Sequence, residues 1–296
     1  MLRPLRSVHY GALVALALTL AACGGGSSSP TQPTTPTPAP TVTPAVNLNP
    51  LVRDGLGNQV VAAAQFTPTA PAFGDRIAIA AAGYLPREQI FERADIFLWP
   101  GEPDYIRELA YWEFDDDSLR LIRWSSGFTV TLEGDLANDP VLVRKAEEVA
   151  AEASRHIGYP VLVGRGGSVT VGVDPDLEDE SAVAEARLDT RGSVIIGARI
   201  VFTRRSEISG GPQAQYTNTF LHELGHVIGL SHSPDDKDVM TPGEGPGTRV
   251  AVYQPGEAGC LRMIYVHRRA GNRFPDRDPA LGAASSARLR TTVIRD

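Results

Sequence analysis

The chain has 296 residues, 42% hydrophobic and 21% charged, which suits one good-sized globular domain with appendages. A net charge of −7 gives no electrostatic footing for nucleic acid or for an anionic membrane surface. Only two cysteines, Cys23 and Cys260, leave no disulfide framework to expect, and Cys260 suits a small apolar position in a helix.

Residues 1–23 have the form of a targeting segment. Arg3 and Arg6 make a positive start, and 11–20 form an apolar run too short for a comfortable membrane span. Leu20-Ala21-Ala22-Cys23 then has the form of a bacterial lipobox, which would make Cys23 the lipidated mature N-terminus. An ordinary secretory signal with an incidental cysteine is the alternative. Residues 24–50 are rich in Gly and Ser, then Thr and Pro; they cannot bury a core and are expected as a flexible tether. In 51–118, short strands are expected at 60–64, 76–82 and 96–99, between Gly and Pro breaks. Residues 105–112 admit either a strand or a helical turn. This part is a small β-rich module or a set of extra strands on the domain that follows.

Arg123, Trp124 and then 128–132 predict an entering strand. Asp139 followed by Pro140 is an N-cap with proline at the first helical position. Leu142, Ala146, Val149, Ala153 and Ile157 recur at helical spacing until Gly158, which predicts an amphipathic helix of about 17 residues. His156, near its end, suits a partner for the helix dipole. Strands are predicted at 161–163, 168–173, 182–188 and 193–202, with a turn at Thr190-Arg191-Gly192. An acidic loop, 174–180, separates two of them. A second helix is expected to begin near 213–217 and to be anchored by Phe220, Leu221, Leu224, Ile228 and Leu230. A Gly/Pro-rich loop follows from 241 to 255, then a helix at 258–267, with His267 solvated beside Arg268 and Arg269. Residues from 270 onward are expected to be loosely ordered.

The second helix carries the chemistry. His222 and His226 are four apart and share one helix face, so both imidazoles can hold one metal ion. Glu223, beside the first, is placed to act on a water at that metal as general base. Gly229 can take positive φ and end the helix, so that the chain turns back and delivers His232 as third ligand. Three neutral nitrogens with one open position describe a catalytic zinc site rather than a closed structural one. Met240 follows eight residues after His232.

His222-Glu223-x-x-His226-x-x-Gly229-x-x-His232 with Met240 downstream resembles the metzincin zinc endopeptidases. Ser233 after the third histidine and Pro242 after the methionine resemble the matrixin branch, in a bacterial form. The resemblance implies an α+β fold: a twisted mixed sheet, two long helices, a Met-turn and a C-terminal helix, preceded here by the β-rich segment. It places the peptidase domain at 119–275 and a C-terminal tail at 276–296. It implies Zn²⁺ on His222, His226 and His232, Glu223 as catalytic base, and Met240 as an apolar floor. It also implies 182–188 as an edge strand pairing with extended substrate, and Tyr253 as a wall residue. Calcium in the acidic loop, against a plain solvated loop, is a further implication. Matrixin zymogens use a prodomain cysteine on the zinc; no cysteine lies between Cys23 and Cys260. Phe73-Gly74-Asp75 is expected as a plain turn rather than an aspartate switch. The expected activity is a zinc-dependent endopeptidase on protein or peptide substrate. It would be a monomer tethered through Cys23 to a bacterial membrane, facing the periplasm or exterior. The alternative is a non-catalytic surface binding lipoprotein on the same scaffold.

Overall fold

A computed structural model describes residues 51–54, 58, 64–92, 95–100, 102–174, 183–203, 219–242, 252–279 and 288–295. Everything expected of 1–50, including the lipobox at Cys23, lies outside these residues. So do most of the 60–64 strand, the acidic loop after Asp174, the first turns of the second helix, and 243–251.

The N-terminal part holds β1 (Leu51–Asp54), β2 (Gln65–Thr67), β3 (Arg76–Ala80), β4 (Arg87–Ile90) and β5 (Asp95–Leu98). β2, β3 and β4 form an antiparallel sheet, and β1 lies parallel to β5. Ile77 and Ile79 alternate inward from β3 onto Val52, Phe91, Ile96 and Leu98. Phe73-Gly74-Asp75 is a turn: Gly74 has φ +95°, Asp75 accepts from the Ala72 N–H, and Phe73 stacks on Phe91. Residues 105–112 resolve as helix for the most part, α1 (Pro103–Ala110), with proline in its first turn. From Leu85 and Trp99 onward, the side chains join one large core that continues through the rest of the chain. Trp112–Glu113 (β6) and Leu119–Arg120 (β7) make a short antiparallel pair.

The main sheet has six strands. β8 (Phe128–Leu132) leads into α2 (Pro140–Ile157), which returns to β9 (Val161–Val163), parallel to β8. β10 (Val169–Val173) lies parallel to β8 on its other side, and β12 (Val194–Phe202) parallel to β10. β11 (Ala184–Arg191) is antiparallel to β12, joined at Gly192, φ +61°. α2 forms as its sequence dictates. The Asp139 carboxylate accepts from the N–H groups of Val141 and Leu142, and Gly158 closes the other end at φ +71°. Its apolar stripe meets the inward residues of β8, namely Phe128, Val130 and Leu132. His156 lies in the last turn of α2, as expected, and its ring also hydrogen-bonds Glu152 at 2.9 Å. α3 (Thr219–Val227) and α4 (Pro255–Arg262) pack into the same core, and α4 runs on as a π-turn, Met263–His267.

Three expectations are corrected. The sheet order is β13-β11-β12-β10-β8-β9, where β13 is Leu289–Arg295. So β11 is not an edge strand, and the end of the chain is not all loose. Thr291, Thr292, Val293 and Ile294 are a β-branched run, and such side chains fit a pleated surface. His267 is likewise not simply solvated, because its ring stacks on Phe97 with centroids 3.5 Å apart.

A buried charged cluster locks the N-terminal sheet to 268–278. Arg87 donates to Asp276 and Asp278, each at 2.7 Å, and Arg268 donates to Asp276 at 2.6 Å and to the Phe97 carbonyl at 2.7 Å. Asn272 donates to both aspartates, and Tyr111 donates to Asn272. Asp276 is 1% exposed and serves two buried guanidinium groups, so its loss strands both. Asp276→Ala is expected to cost about 3–5 kcal/mol, read as a lower denaturation midpoint in urea; a loss under about 1 kcal/mol would show that the cluster is not needed for stability.

Candidate metal centre

α3 brings the three histidines together. Phe220, Leu221, Leu224, Val227 and Ile228 bury its apolar side, and His222 and His226 share the opposite use of one turn. Their ring orientations are set by the backbone. Nδ1 of His222 donates to the Val239 carbonyl at 2.6 Å, and Nδ1 of His226 donates to the Leu230 carbonyl at 3.0 Å. A carbonyl can only accept, so each Nδ1 carries the proton. Each Nε2 is then left with its lone pair in the neutral ring, and the two Nε2 atoms face each other at 3.1 Å. Two lone pairs so close need a cation or a proton between them. The ligand nitrogen of His232 completes the group, with all three within 4.8 Å of one another.

The donor set fits zinc. Tetrahedral zinc with nitrogen bonds of about 2.0–2.1 Å sets its ligand atoms roughly 3.3 Å apart, close to the separation of the two Nε2 atoms. The Nδ1–carbonyl bonds supply the outer support that orients metal-bound imidazoles. Glu223, next to His222, is fully buried.

The turn after α3 depends on Gly229. It has φ +97°, and a Cβ there would lie 2.3 Å from the Ile122 carbonyl oxygen. Leu230 N–H reaches back to the Gly225 carbonyl, and Ser231 N–H bonds the Leu109 carbonyl, so the chain reverses towards His232. The carbonyls at the end of α3 are met by three aromatic donors. Trp124 Nε1 serves Val227, Tyr265 Oη serves Ile228 and Trp112 Nε1 serves Gly229. Trp112 also lies edge-on to the His226 ring, centroids 6.2 Å apart.

Met240 is fully buried against α3, and a Cβ on Gly225 would lie 2.2 Å from its sulfur. Three bonds hold its turn in place. Ser233 N–H bonds the Met240 carbonyl at 2.8 Å, Glu257 accepts from the Met240 N–H at 2.8 Å, and Asp238 accepts from Ser233 Oγ at 2.6 Å. Tyr105 Oη, from α1, donates to the same Asp238 oxygen at 2.7 Å. Tyr253 is buried and donates to the Leu221 carbonyl, so it backs the helix and is not the expected wall residue. Trp112, Trp124, Tyr265 and Glu257 escaped the sequence reading as site residues, because each reaches the site from a distant element with no local motif to mark it; Asp238 lies in the methionine turn itself, and its role shows only in its partners Ser233 and Tyr105.

Residues 155–250 match the family model for matrixins. The matched stretch contains β9 to β12, all three histidines, Glu223 and Met240, and it is less than half of the chain. The chain is matrixin-like. The match and the triad together point to a zinc metallopeptidase. No curated protein matches the matrixin-like chain. Two crystal structures of the GH20 exo-β-N-acetylglucosaminidase of Vibrio harveyi overlap 50% of this chain. One is an inactive mutant, at 14% identity and TM-score 0.22; the other is bound to N-acetylglucosamine, at 13% and 0.20. This chain covers 21% of each, and likenesses this slight carry no argument.

Burial, followed by the nearby Asp238 charge, pushes the Glu257 carboxyl up to about 7 from an ordinary 4.5. The folded protein thus holds this proton more tightly than the unfolded chain does. The resulting stabilisation is fully present below pH 4.5 and is lost as pH rises through about 7. Relative to Glu257→Gln, the wild type is expected to lose unfolding free energy steadily across that window. A difference that stays flat with pH in urea titrations would mean that Glu257 remains ionised throughout.

Proposed function

We propose that this protein is a zinc-dependent endopeptidase, tethered to a bacterial membrane through a lipid on Cys23. The observation that carries the peptidase reading is the pair of Nε2 atoms facing each other beside His232, their rings fixed by backbone carbonyls. His222, His226 and His232 would hold the metal. Zinc bound there supplies a Lewis acid that polarises a carbonyl and lowers the pKa of water from about 15.7 to about 7.

The chain's own residues do the rest. Glu223, buried beside His222, would take the proton from the attacking water and hand it to the leaving amine. Its burial keeps the carboxylate away from competing solvent and sharpens its interaction with the transferred proton. Met240 gives the site an apolar, close-packed floor, so the histidines cannot drift as the substrate binds. The reading of the anchor rests on the positive start, the short apolar run and the Leu20-Ala21-Ala22-Cys23 sequence, followed by a tether that would hold the folded part clear of the bilayer.

Glu223→Gln tests the reaction. The histidines are untouched, so zinc measured by elemental analysis should stay at one per chain, while peptide cleavage should fall about 10²–10⁴-fold. Equal cleavage rates would remove Glu223 as base. Replacing all three histidines with alanine should abolish zinc binding, and full zinc retention would sink the ligand assignment. Binding of library peptides by both forms with cleavage by neither would favour the non-catalytic lipoprotein.

For the anchor, Cys23→Ala is expected to abolish acyl labelling and release the protein from the membrane fraction. Unchanged labelling and fractionation would make Cys23 incidental.

A further inference from the structure

β11 was expected to be open for pairing, and its outer edge is taken. β13 runs antiparallel along it in unbroken register, from Glu185 opposite Arg295 to Arg191 opposite Leu289. Few side chains fasten it. Arg295 pairs with Glu185 at 2.7 Å, and Thr291 donates to Asp189 at 2.6 Å. Arg290 donates to the Glu113 carbonyl at 2.8 Å and lies over the Phe114 ring. One face of β13 stays open, with Leu289 60% and Val293 47% exposed. On the other face Ile294 packs against the core, and the rest of the hold is main-chain pairing, the mode by which a sheet edge takes up any extended peptide.

Its ends bracket the histidine helix. At one end, Glu185 adjoins Ala184, which pairs with Phe202; the Phe202 ring meets that of Phe220 at 5.7 Å, two residues before His222. At the other end, Arg290 grips Glu113, whose neighbour Trp112 packs against His226.

We propose that β13 is an intramolecular pseudo-substrate: it occupies the edge on which an extended peptide would lie beside the metal centre, and it must leave before peptide binds. This rests on the peptidase reading above. The inhibition is competitive by construction. A tethered strand acts at an effective concentration in the millimolar range, so a peptide of weaker affinity cannot displace it. The burden should fall on KM, because a strand that competes for the sheet edge acts on peptide binding and not on the chemical step.

The test compares three zinc-loaded proteins: the full chain, a form lacking 288–296, and the full chain with Arg295→Glu. The last places a second acid against buried Glu185 while leaving the strand covalently in place, and it carries the comparison if the deletion does not fold by circular dichroism. Cleavage of a peptide library is followed beside binding of a labelled peptide, Leu-Arg-Thr-Thr-Val-Ile-Arg. Both altered forms should show a KM lower by about tenfold or more with kcat little changed. The labelled peptide should bind the deletion form, compete with its substrate and fail to bind the full chain. Equal, measurable KM values in folded proteins with no binding of the labelled peptide would overturn the proposal and leave the peptidase reading standing. No cleavage by any of the three, with zinc bound, would retire the peptidase reading and this proposal with it.

Discussion

Two backbone carbonyls govern this site. The Val239 and Leu230 carbonyls each accept a hydrogen bond from the Nδ1–H of a histidine on α3. That choice of tautomer turns both Nε2 atoms into donors of electron pairs aimed at a common point. Without those bonds the imidazoles could rotate, and either nitrogen could carry the proton. The Val239 carbonyl belongs to the turn that holds Met240, so the methionine turn is tied to His222 as well as lying beneath the helix. The Leu230 carbonyl belongs to the reversal that Gly229 permits, so the third histidine and the orientation of the second come from the same feature.

Those carbonyls are useful only if their segments are rigid, and the surroundings supply that rigidity through buried polar groups. Asp238 takes hydroxyl donors from Ser233 and from Tyr105 on α1, and Glu257 takes the Met240 N–H from α4. Each is a carboxylate in a poorly solvated place, worth having only when its hydrogen bonds are complete. The three aromatic donors at the end of α3 act in the same way on the helix carbonyls. They come from β6, from the residue run before β8 and from the π-turn after α4, so the helix end is fixed by three parts of the chain at once. The N-terminal segment is thereby part of the site's support: α1 and Trp112 belong to the same core as α3.

The covered edge has a second physical meaning. An open strand edge invites pairing with other chains, and proteins blunt such edges. β13 does this with the chain's own residues. A strand fastened largely by main-chain bonds, with an ion pair from half-exposed Arg295 to Glu185, is a weaker cover than one buried on both faces. The arrangement therefore suits a cover that can be exchanged, in contrast to the buried Arg87–Asp276–Arg268 cluster, which fastens 268–278 for good.

The local chemistry was legible in the sequence because it is local. The four-residue spacing of His222 and His226 places them on one face of any helix, Gly229 marks a turn where a side chain cannot fit, and Asp139-Pro140 with Gly158 delimits α2 from end to end. The strands at 128–132 and 161–163 were legible as short runs rich in β-branched and other apolar residues. What pairs with what could not be read that way. Strand partners are chosen by long-range hydrogen bonds that carry no residue signature, so β11 looked like an edge and β13 like a tail. Tyr253 and His267 were misplaced for the same reason: a buried or stacked ring and a solvated one can share a local sequence. The sequence by itself determined which atoms can hold a metal and where α2 begins and ends. Only the tertiary structure decided which protons those atoms carry, what braces them, and which strand lies beside them, because each of those depends on groups brought together from far along the chain.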